Sequence, residues 1–203
     1  MFVLHEIFPP AAQFKISRST STTPGGYSAS SSHGIKSMLP IKATRFRWIA
    51  KEDIAQRIST CVSNILNNIA DMDVRHEESA TAPGAEQDAV TATVQFEGNY
   101  RGFVSLHCAE TLALRIASGM RGCRQDSINE AVRNELGEVV YLLCSDVNLF
   151  LSPERKNLSL SPPFVFCGER YHYDYANDPE SLCCSFLHES ERFMVGVKLK
   201  KQH

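Results

Sequence analysis

Apolar residues recur at every third or fourth position in two stretches before residue 125, which is the spacing of an amphipathic helix. The first stretch begins at Glu52 and predicts helix one, whose apolar positions are Ile54, Ile58, Cys61, Val62, Ile65, Leu66 and Ile69. The second stretch, Glu110 to Met120, predicts helix two, and Gly122 stands where a glycine commonly ends a helix. Both helices are therefore predicted to contribute an apolar face to a core.

A third helical pattern is the longest in the chain. Ser127 and Glu130 have the spacing of a capping box, so the helix is predicted to begin there, and Pro153 is predicted to end it. Its apolar face consists of Ile128, Val132, Leu136, Val139, Val140, Leu143, Val147 and Phe150. This pattern predicts a third helix that lies against the core.

Alternation of apolar and polar residues predicts the β-strands. Residues 90–96 alternate, turn residues follow at 97–102, and residues 103–106 resume an extended pattern, so an antiparallel hairpin is predicted. Further strands are predicted around residues 158–160, 164–166, 183–187 and 193–199, whereas residues 75–87 lack periodicity and are predicted to be an exposed loop. The order of elements predicts an α+β fold, in which an antiparallel sheet packs against amphipathic helices.

The first 37 residues differ in composition from the rest of the chain. Residues 17–37 consist mainly of Ser and Thr, with Gly25 and Gly26 and almost no large apolar side chains. Such a stretch cannot offset the entropy lost on ordering by burying apolar surface. We therefore expect residues 1–37 to be a disordered, dispensable tail and residues 38–203 to be the folded domain.

Charge and cysteine content exclude several classes of protein. The 203 residues include 21 Lys and Arg against 23 Asp and Glu, a net charge of −2 that gives no field to attract nucleic acid. No apolar run approaches the ~20 residues of a membrane span, so no membrane segment is expected. The seven cysteines form no CxxC pair, which predicts small core residues in a reducing cytoplasm. Cys108 beside His107 lacks a second ligand pair, so no metal site is predicted.

The chain has no strong catalytic signature, because a Gly-rich phosphate loop, a GxSxG elbow and an HExxH helix are all absent. His107 and His172 are isolated and are interpreted as hydrogen-bonded structural residues. Tyr171, Tyr173 and Tyr175 alternate along the chain. We interpret these tyrosines as an ordinary edge strand or loop, since a stacking platform for nucleic acid would need interleaved basic residues.

The candidate catalytic residues lie on one side of the third helix. At about 100° per residue, Glu135 and Glu138 lie outside the apolar face, on the same flank as Leu142 and Leu149. A solvated face would explain the two carboxylates, whereas two large apolar residues beside them are typical of a docking surface. Both interpretations stay open on the helical pattern alone.

Three segments resemble the CheX family of chemotaxis phosphatases, within the CheC/CheX/FliY superfamily; they are FEGNYRGFVSLHCAETLALRIASGMRG, INEAVRNELGEVVYLLCSDVNLFLS and LSPPFVFCGE. The resemblance covers roughly residues 48–200 and is specific from 96 to 169. It implies a CheC/CheX-like α+β fold and, as in several members, a homodimer. It also implies a cytoplasmic bacterial protein that dephosphorylates the aspartyl phosphate of the response regulator CheY.

The family's active helix displays a Glu-x-x-Asn motif, in which the Glu pairs with the receiver's active-site lysine and the Asn amide orients the attacking water. By resemblance Glu135 takes the first role, but Glu138 occupies the position of the Asn. An amide donates and accepts hydrogen bonds, whereas an ionised carboxylate only accepts them and is repelled by a phosphoryl group. Asn134 and Asn148 are expected to project from other faces, so neither is expected to replace the amide.

Three hypotheses follow. In the first, a CheX-like domain docks on a phosphorylated CheY-type receiver through Glu135 and Glu138 and hydrolyses its aspartyl phosphate weakly. In the second, the domain is a non-catalytic receiver-binding or dimerisation module that has lost phosphatase activity. In the third, it is an unrelated α+β domain with a similar packing pattern. No cofactor of its own is expected, since the resemblance implies that the partner receiver would hold the Mg²⁺.

Overall fold

The computed structural model describes residues 49–77, 89–152, 154, 158–168, 175 and 178–201. All of these residues lie within one structural unit, Phe46–His203. The predicted tail, residues 1–37, and the predicted start of the domain at residue 38 lie outside the described residues.

The described residues form three helices and seven strands. In chain order the elements are α1 (Lys51–Ala70), β1 (Arg75–Glu77), β2 (Ala89–Glu97), β3 (Tyr100–Ala109), α2 (Glu110–Arg121), α3 (Glu130–Leu151), β4 (Ser159–Leu160), β5 (Phe164–Cys167), β6 (Ser181–His188) and β7 (Glu191–Lys201). None of the helices in this part of the chain is both long and apolar enough to cross a membrane.

The strands form one antiparallel sheet in the order β1-β6-β7-β3-β2-β4, and β5 also pairs with β2. The predicted hairpin is β2–β3, in which Val94 lies opposite Val104. Its turn is shorter than expected, because β3 begins at Tyr100 and only Gly98 and Asn99 separate the two strands. The predicted α+β class, with an antiparallel sheet and amphipathic helices, is confirmed.

The three helices cover one face of the sheet. Alternate residues of β2, including Val94 and Phe96, point into this layer and are fully buried. Helix α3 lies over β2, and the Cys144 thiol donates to the Val94 carbonyl oxygen at 3.6 Å. Ile58 of α1 and Ile116 of α2 are buried in the same core. The apolar stripes that predicted the helices therefore meet the apolar face of the hairpin, and this burial is the main force that stabilises the fold.

The opposite face of the sheet carries a buried polar cluster around His107. Its Nδ1 is hydrogen-bonded to Thr91 Oγ1 at 2.9 Å, and its Nε2 to Ser105 Oγ at 2.9 Å and to the Tyr175 hydroxyl at 3.0 Å. The interpretation of His107 as a hydrogen-bonded structural residue is confirmed. The other members of the predicted set, His172, Tyr171 and Tyr173, lie outside the described residues.

Two predictions from local patterns are wrong. Arg75–Glu77 forms β1, since it pairs with β6 far along the chain, while residues 78–87 of the predicted loop lie outside the described residues. Ser127 does not cap α3, because the Asn129 side chain accepts a hydrogen bond from the Val132 amide at 3.0 Å and the helix begins one residue later.

Candidate functional site

Among the described residues, none covers one side of helix α3, whereas its other sides contact the sheet and the neighbouring helices. Arg57 of α1 donates through Nε to Asp146 Oδ2 at 2.6 Å, and Arg121 of α2 donates to Glu135. Between these polar contacts and the sheet, Leu136 and Leu143 are buried. We refer to the uncovered side as the α3 flank, which consists of Glu135, Glu138, Tyr141, Leu142 and Leu149.

Three large apolar side chains of the α3 flank are exposed. The exposed fractions are 42% for Tyr141, 37% for Leu142 and 38% for Leu149. The predicted placement of Leu142 and Leu149 outside the core is confirmed, and Tyr141 was missed although it follows Glu138 at the i+3 spacing that shares a helix face. Apolar side chains clustered in solvent on one side of one helix are typical of a docking surface rather than a solvated face.

The fourth exposed large apolar residue among those described is Phe164, which is 50% exposed. It lies opposite Thr93 in the β2–β5 pairing, whereas the side chain of the adjacent β2 residue Val94 is fully buried in the core beneath the helices. Because successive strand residues point to opposite faces, Phe164 lies on the sheet face away from the helices. It is not part of the α3 flank.

The two candidate carboxylates lie near each other on the α3 flank but in different surroundings. Glu135 is half-buried, and its Oε1 accepts a hydrogen bond from Arg121 Nη1 at 3.1 Å. Glu138, three residues later, is exposed. One carboxylate is therefore held within the fold while the other faces solvent, and their catalytic role stays a prediction.

Arg121 is a member of the site that the sequence did not reveal. It is the last residue of α2, and Gly122 ends the helix in the left-handed conformation with φ 63°. A cation is favoured at a helix C-terminus, where the backbone carbonyls carry partial negative charge. The hydrogen bond to Glu135 raises the pKa of the guanidinium. The contact joins two different helices, so no local sequence pattern could have predicted it.

The two asparagines of α3 are placed differently from each other. Asn148 is buried, and its Nδ2 donates to the Glu97 carbonyl oxygen at 3.3 Å, which agrees with the prediction that it faces away from the site. Asn134 is exposed one helical turn before Glu138. Residues four apart share a helix face, so the expectation that Asn134 projects elsewhere is wrong.

Gly137, inside the motif Glu135-Leu136-Gly137-Glu138, allows β5 and the segment before it to lie close to α3. A Cβ at this position would lie 3.1 Å from Pro163 Cγ and 3.9 Å from Val165 Cγ2. Arg133 of α3 donates through Nη1 to the Val165 carbonyl oxygen at 3.2 Å. These contacts fix the helix against the edge of the sheet and so fix the direction of the α3 flank.

The other titratable groups that the structure describes include no metal site. Within the described ranges, no group of three His, Cys, Asp or Glu side chains is placed to hold a metal ion. All seven cysteines are free. Burial raises the pKa of the Cys61, Cys108, Cys144 and Cys183 thiols to about 12, and that of Cys184 to about 11. These five thiols are therefore protonated at neutral pH. Cys61, Cys108, Cys144 and Cys184 are small core residues, as predicted. The same prediction is wrong for Cys183, which is half-buried, and for Cys123 and Cys167, which are exposed.

A known protein family matches the part of the chain that contains the α3 flank. Residues 90–187 match the model of the family described as chemotaxis phosphatase CheX, a range that includes Arg121, Glu135 and Glu138. This match supports the assignment of residues 90–187 as CheX-like. It argues against the hypothesis of an unrelated α+β domain. No curated protein matches the sequence of this CheX-like chain.

Several solved structures share the CheX-like fold. CheX from Vibrio vulnificus is 18% identical with a TM-score of 0.62, and the match covers 75% of this chain and 100% of that one. A CheC-like protein from Shewanella sp. PV-4 is 19% identical with a TM-score of 0.61, covering 73% and 97%. CheX from Borrelia burgdorferi, solved in a complex with CheY, BeF3 and Mg²⁺, is 14% identical with a TM-score of 0.54, covering 73% and 99%. Because all three identities are below 20%, these similarities establish the shared fold and nothing further.

Proposed function

We propose that this CheX-like protein binds the phosphorylated receiver domain of a CheY-type response regulator through the α3 flank and hydrolyses its aspartyl phosphate slowly. The observation that carries the proposal is the exposure of Tyr141, Leu142 and Leu149 beside the carboxylates of Glu135 and Glu138. The family match covers this helix. A cytoplasmic location, where receiver domains act, is part of the proposal.

The composition of the flank suits protein binding. Specific interfaces have an apolar centre, in which aromatic residues are enriched, and a polar rim. On the flank, Tyr141, Leu142 and Leu149 provide the apolar part, and the two carboxylates lie toward the N-terminal end of the helix. The Borrelia burgdorferi CheX structure contains CheY and BeF3, a phosphoryl mimic, which supports a receiver as the kind of partner for this fold.

Glu135 is suited to pair with a lysine of the receiver. Its Oε1 accepts from Arg121, and a carboxylate has a second oxygen with further lone pairs. The contact with Arg121 restricts the side chain before the partner arrives, so less conformational entropy is lost on binding. The Mg²⁺ of the reaction would be held by the receiver rather than by this chain.

Glu138 explains why hydrolysis is proposed to be slow. In the reaction, water attacks phosphorus, the bond to the aspartyl oxygen breaks, and inorganic phosphate leaves. The Glu138 carboxylate can accept a proton from water but cannot donate a hydrogen bond to a phosphoryl oxygen. At ~4 Å the repulsion between the carboxylate and the phosphoryl group is on the order of several kcal/mol at an effective dielectric near 20. Phosphoryl transfer depends chiefly on stabilising negative charge, which this side chain opposes.

The test measures the half-life of an acetyl-phosphate-phosphorylated CheY-type receiver with the unaltered protein and with Glu138→Asn. The receivers are those encoded by the source genome, with Borrelia burgdorferi CheY as a fixed reference. We expect the unaltered protein to bind the BeF3-loaded receiver and shorten the half-life slightly, and Glu138→Asn to shorten it by a further factor on the order of 10². Glu135→Ala should remove both effects.

The outcomes separate the remaining hypotheses. Binding without any acceleration by the unaltered protein, together with activity of Glu138→Asn, would identify a receiver-binding module that has lost its catalytic amide. Equal acceleration by both proteins would show that the carboxylate is an adequate substitute. Absence of binding to every receiver would refute the proposal. Homodimerisation stays a prediction, which light scattering of the purified protein can test.

A further inference from the structure

Arg121 has hydrogen-bonding capacity that its contact with Glu135 does not use. A guanidinium carries five N–H donors; the contact with Glu135 uses one of them, on Nη1, and the Cys123 side chain is a second hydrogen-bond partner. The Arg121 side chain is 41% exposed and lies next to the α3 flank, and two partners do not use all five donors. The remaining donors are available to an anionic group on a partner.

The α3 flank is negatively charged, so the N–H donors of Arg121 can offset this charge when a phosphoryl group approaches. Glu135 and Glu138 place two negative charges three residues apart on the surface that is proposed to meet a phosphoryl group. Arg57 contacts α3 nearby, but its guanidinium is bonded to both oxygens of Asp146. Arg133 donates to the Val165 carbonyl oxygen on the sheet side of the helix. Among the residues that the structure describes, Arg121 is therefore the arginine that forms an ion pair with a carboxylate of the flank, that of Glu135.

We propose that Arg121 determines specificity for the phosphorylated receiver by donating hydrogen bonds to its phosphoryl oxygens while holding Glu135 in place. The inference rests on the proposed function of the α3 flank. A planar guanidinium can bond a carboxylate and a phosphoryl group at the same time through different N–H groups. In this arrangement Arg121 supplies the hydrogen-bond donors that Glu138, in the position of the family's Asn, cannot supply.

The experiment measures the dissociation constant of the CheY-type receiver with and without BeF3 and Mg²⁺, for the unaltered protein, Arg121→Gln and Arg121→Lys. The matched control is Arg115→Gln, because Arg115 is an exposed arginine on the same helix that pairs with Glu189 and Glu191, away from the flank. We expect the unaltered protein and Arg115→Gln to prefer the BeF3-loaded receiver by about tenfold. Arg121→Gln should lose this preference, and Arg121→Lys should keep part of it.

Each outcome has a distinct meaning. A preference that Arg121→Gln leaves unchanged would overturn the inference while leaving receiver binding intact. Equal weakening for both receiver forms would also overturn it, since Arg121 would then act only through Glu135 or the fold. If the unaltered protein binds neither form, both the inference and the proposed function are wrong. Loss of preference in Arg121→Gln, with unchanged binding of the BeF3-free receiver, supports the specific role.

Discussion

Gly119 of α2 packs directly against the carbonyl group of Ala70, the last residue of α1. A Cβ on Gly119 would lie 2.9 Å from the Ala70 carbonyl carbon and closer still to its oxygen. Ala70 is buried, so its backbone cannot move away without disturbing the core. The contact brings the ends of the two helices together and places Arg121, two residues later, beside Glu135. A glycine in a helix interior, which is normally unfavourable, is explained by this close approach.

Gly119→Ala should therefore destabilise the protein. Alanine is a better helix former than glycine by about 1 kcal/mol, but the methyl group would collide with backbone atoms, and overpacking typically costs about 1–3 kcal/mol. We expect a net decrease in the free energy of unfolding, measured by urea denaturation. Asn67→Ala, at an exposed position of α1, is the control and should cause no decrease. Equal or greater stability of Gly119→Ala would contradict the packing described here.

Leu142→Ala and Leu149→Ala should each weaken receiver binding by about three- to tenfold, because each side chain would lose apolar surface buried in the complex. Both residues are exposed, so folding should be unchanged. Phe164→Ala removes a still more exposed apolar side chain from the opposite face of the sheet and should leave the affinity unaltered. Isothermal titration with a BeF3-loaded receiver measures the three affinities. A larger loss in Phe164→Ala than in the leucine variants would place the docking surface elsewhere.

Tyr175→Phe should lower the free energy of unfolding by about 1–2 kcal/mol. The substitution removes the hydroxyl that is hydrogen-bonded to Ser105 and His107 within the buried polar cluster. The ring also lies against Gly196, where a Cβ would overlap with it, so the aromatic packing is retained in the phenylalanine variant. Tyr141→Phe is the matched control, since that tyrosine is exposed on α3 and should tolerate the change. Equal denaturation midpoints for the two variants would argue against a stabilising role of the cluster.

Thiol labelling should distinguish two of the seven cysteines in the native protein. Cys123 and Cys167 are exposed, whereas burial raises the pKa of the other five thiols to about 11 or 12. The thiolate is the reactive form, so a chromogenic disulfide reagent at pH 8 should label two groups rapidly and five only after unfolding. Cys123→Ser and Cys167→Ser should each remove one rapidly labelled group. Rapid labelling of more than two thiols would show that the core is more accessible to solvent than described.

The spacing of apolar residues along the chain predicted most of the helices and strands and the side of α3 that lies outside the core. The helical repeat predicted all three helices, and the placement of Leu142 and Leu149 outside the core follows from the same repeat. One prediction failed because two residues compete for the same role. Asn129 rather than Ser127 caps α3, since both residues can accept a hydrogen bond from a backbone amide and only the packed helix fixes which one does.

The sequence by itself determined which residues form helices and strands, and which side of α3 remains outside the core, because both follow from the repeat of apolar positions along one element. Tertiary structure alone decided the pairing of β1 with β6, the contact of Arg121 with Glu135, and the hydrogen bonds of Tyr175 with the His107 cluster. Each of these contacts joins segments that are distant in the chain. These contacts form only when whole helices and strands pack together, so the spacing of residues within a single segment cannot predict them.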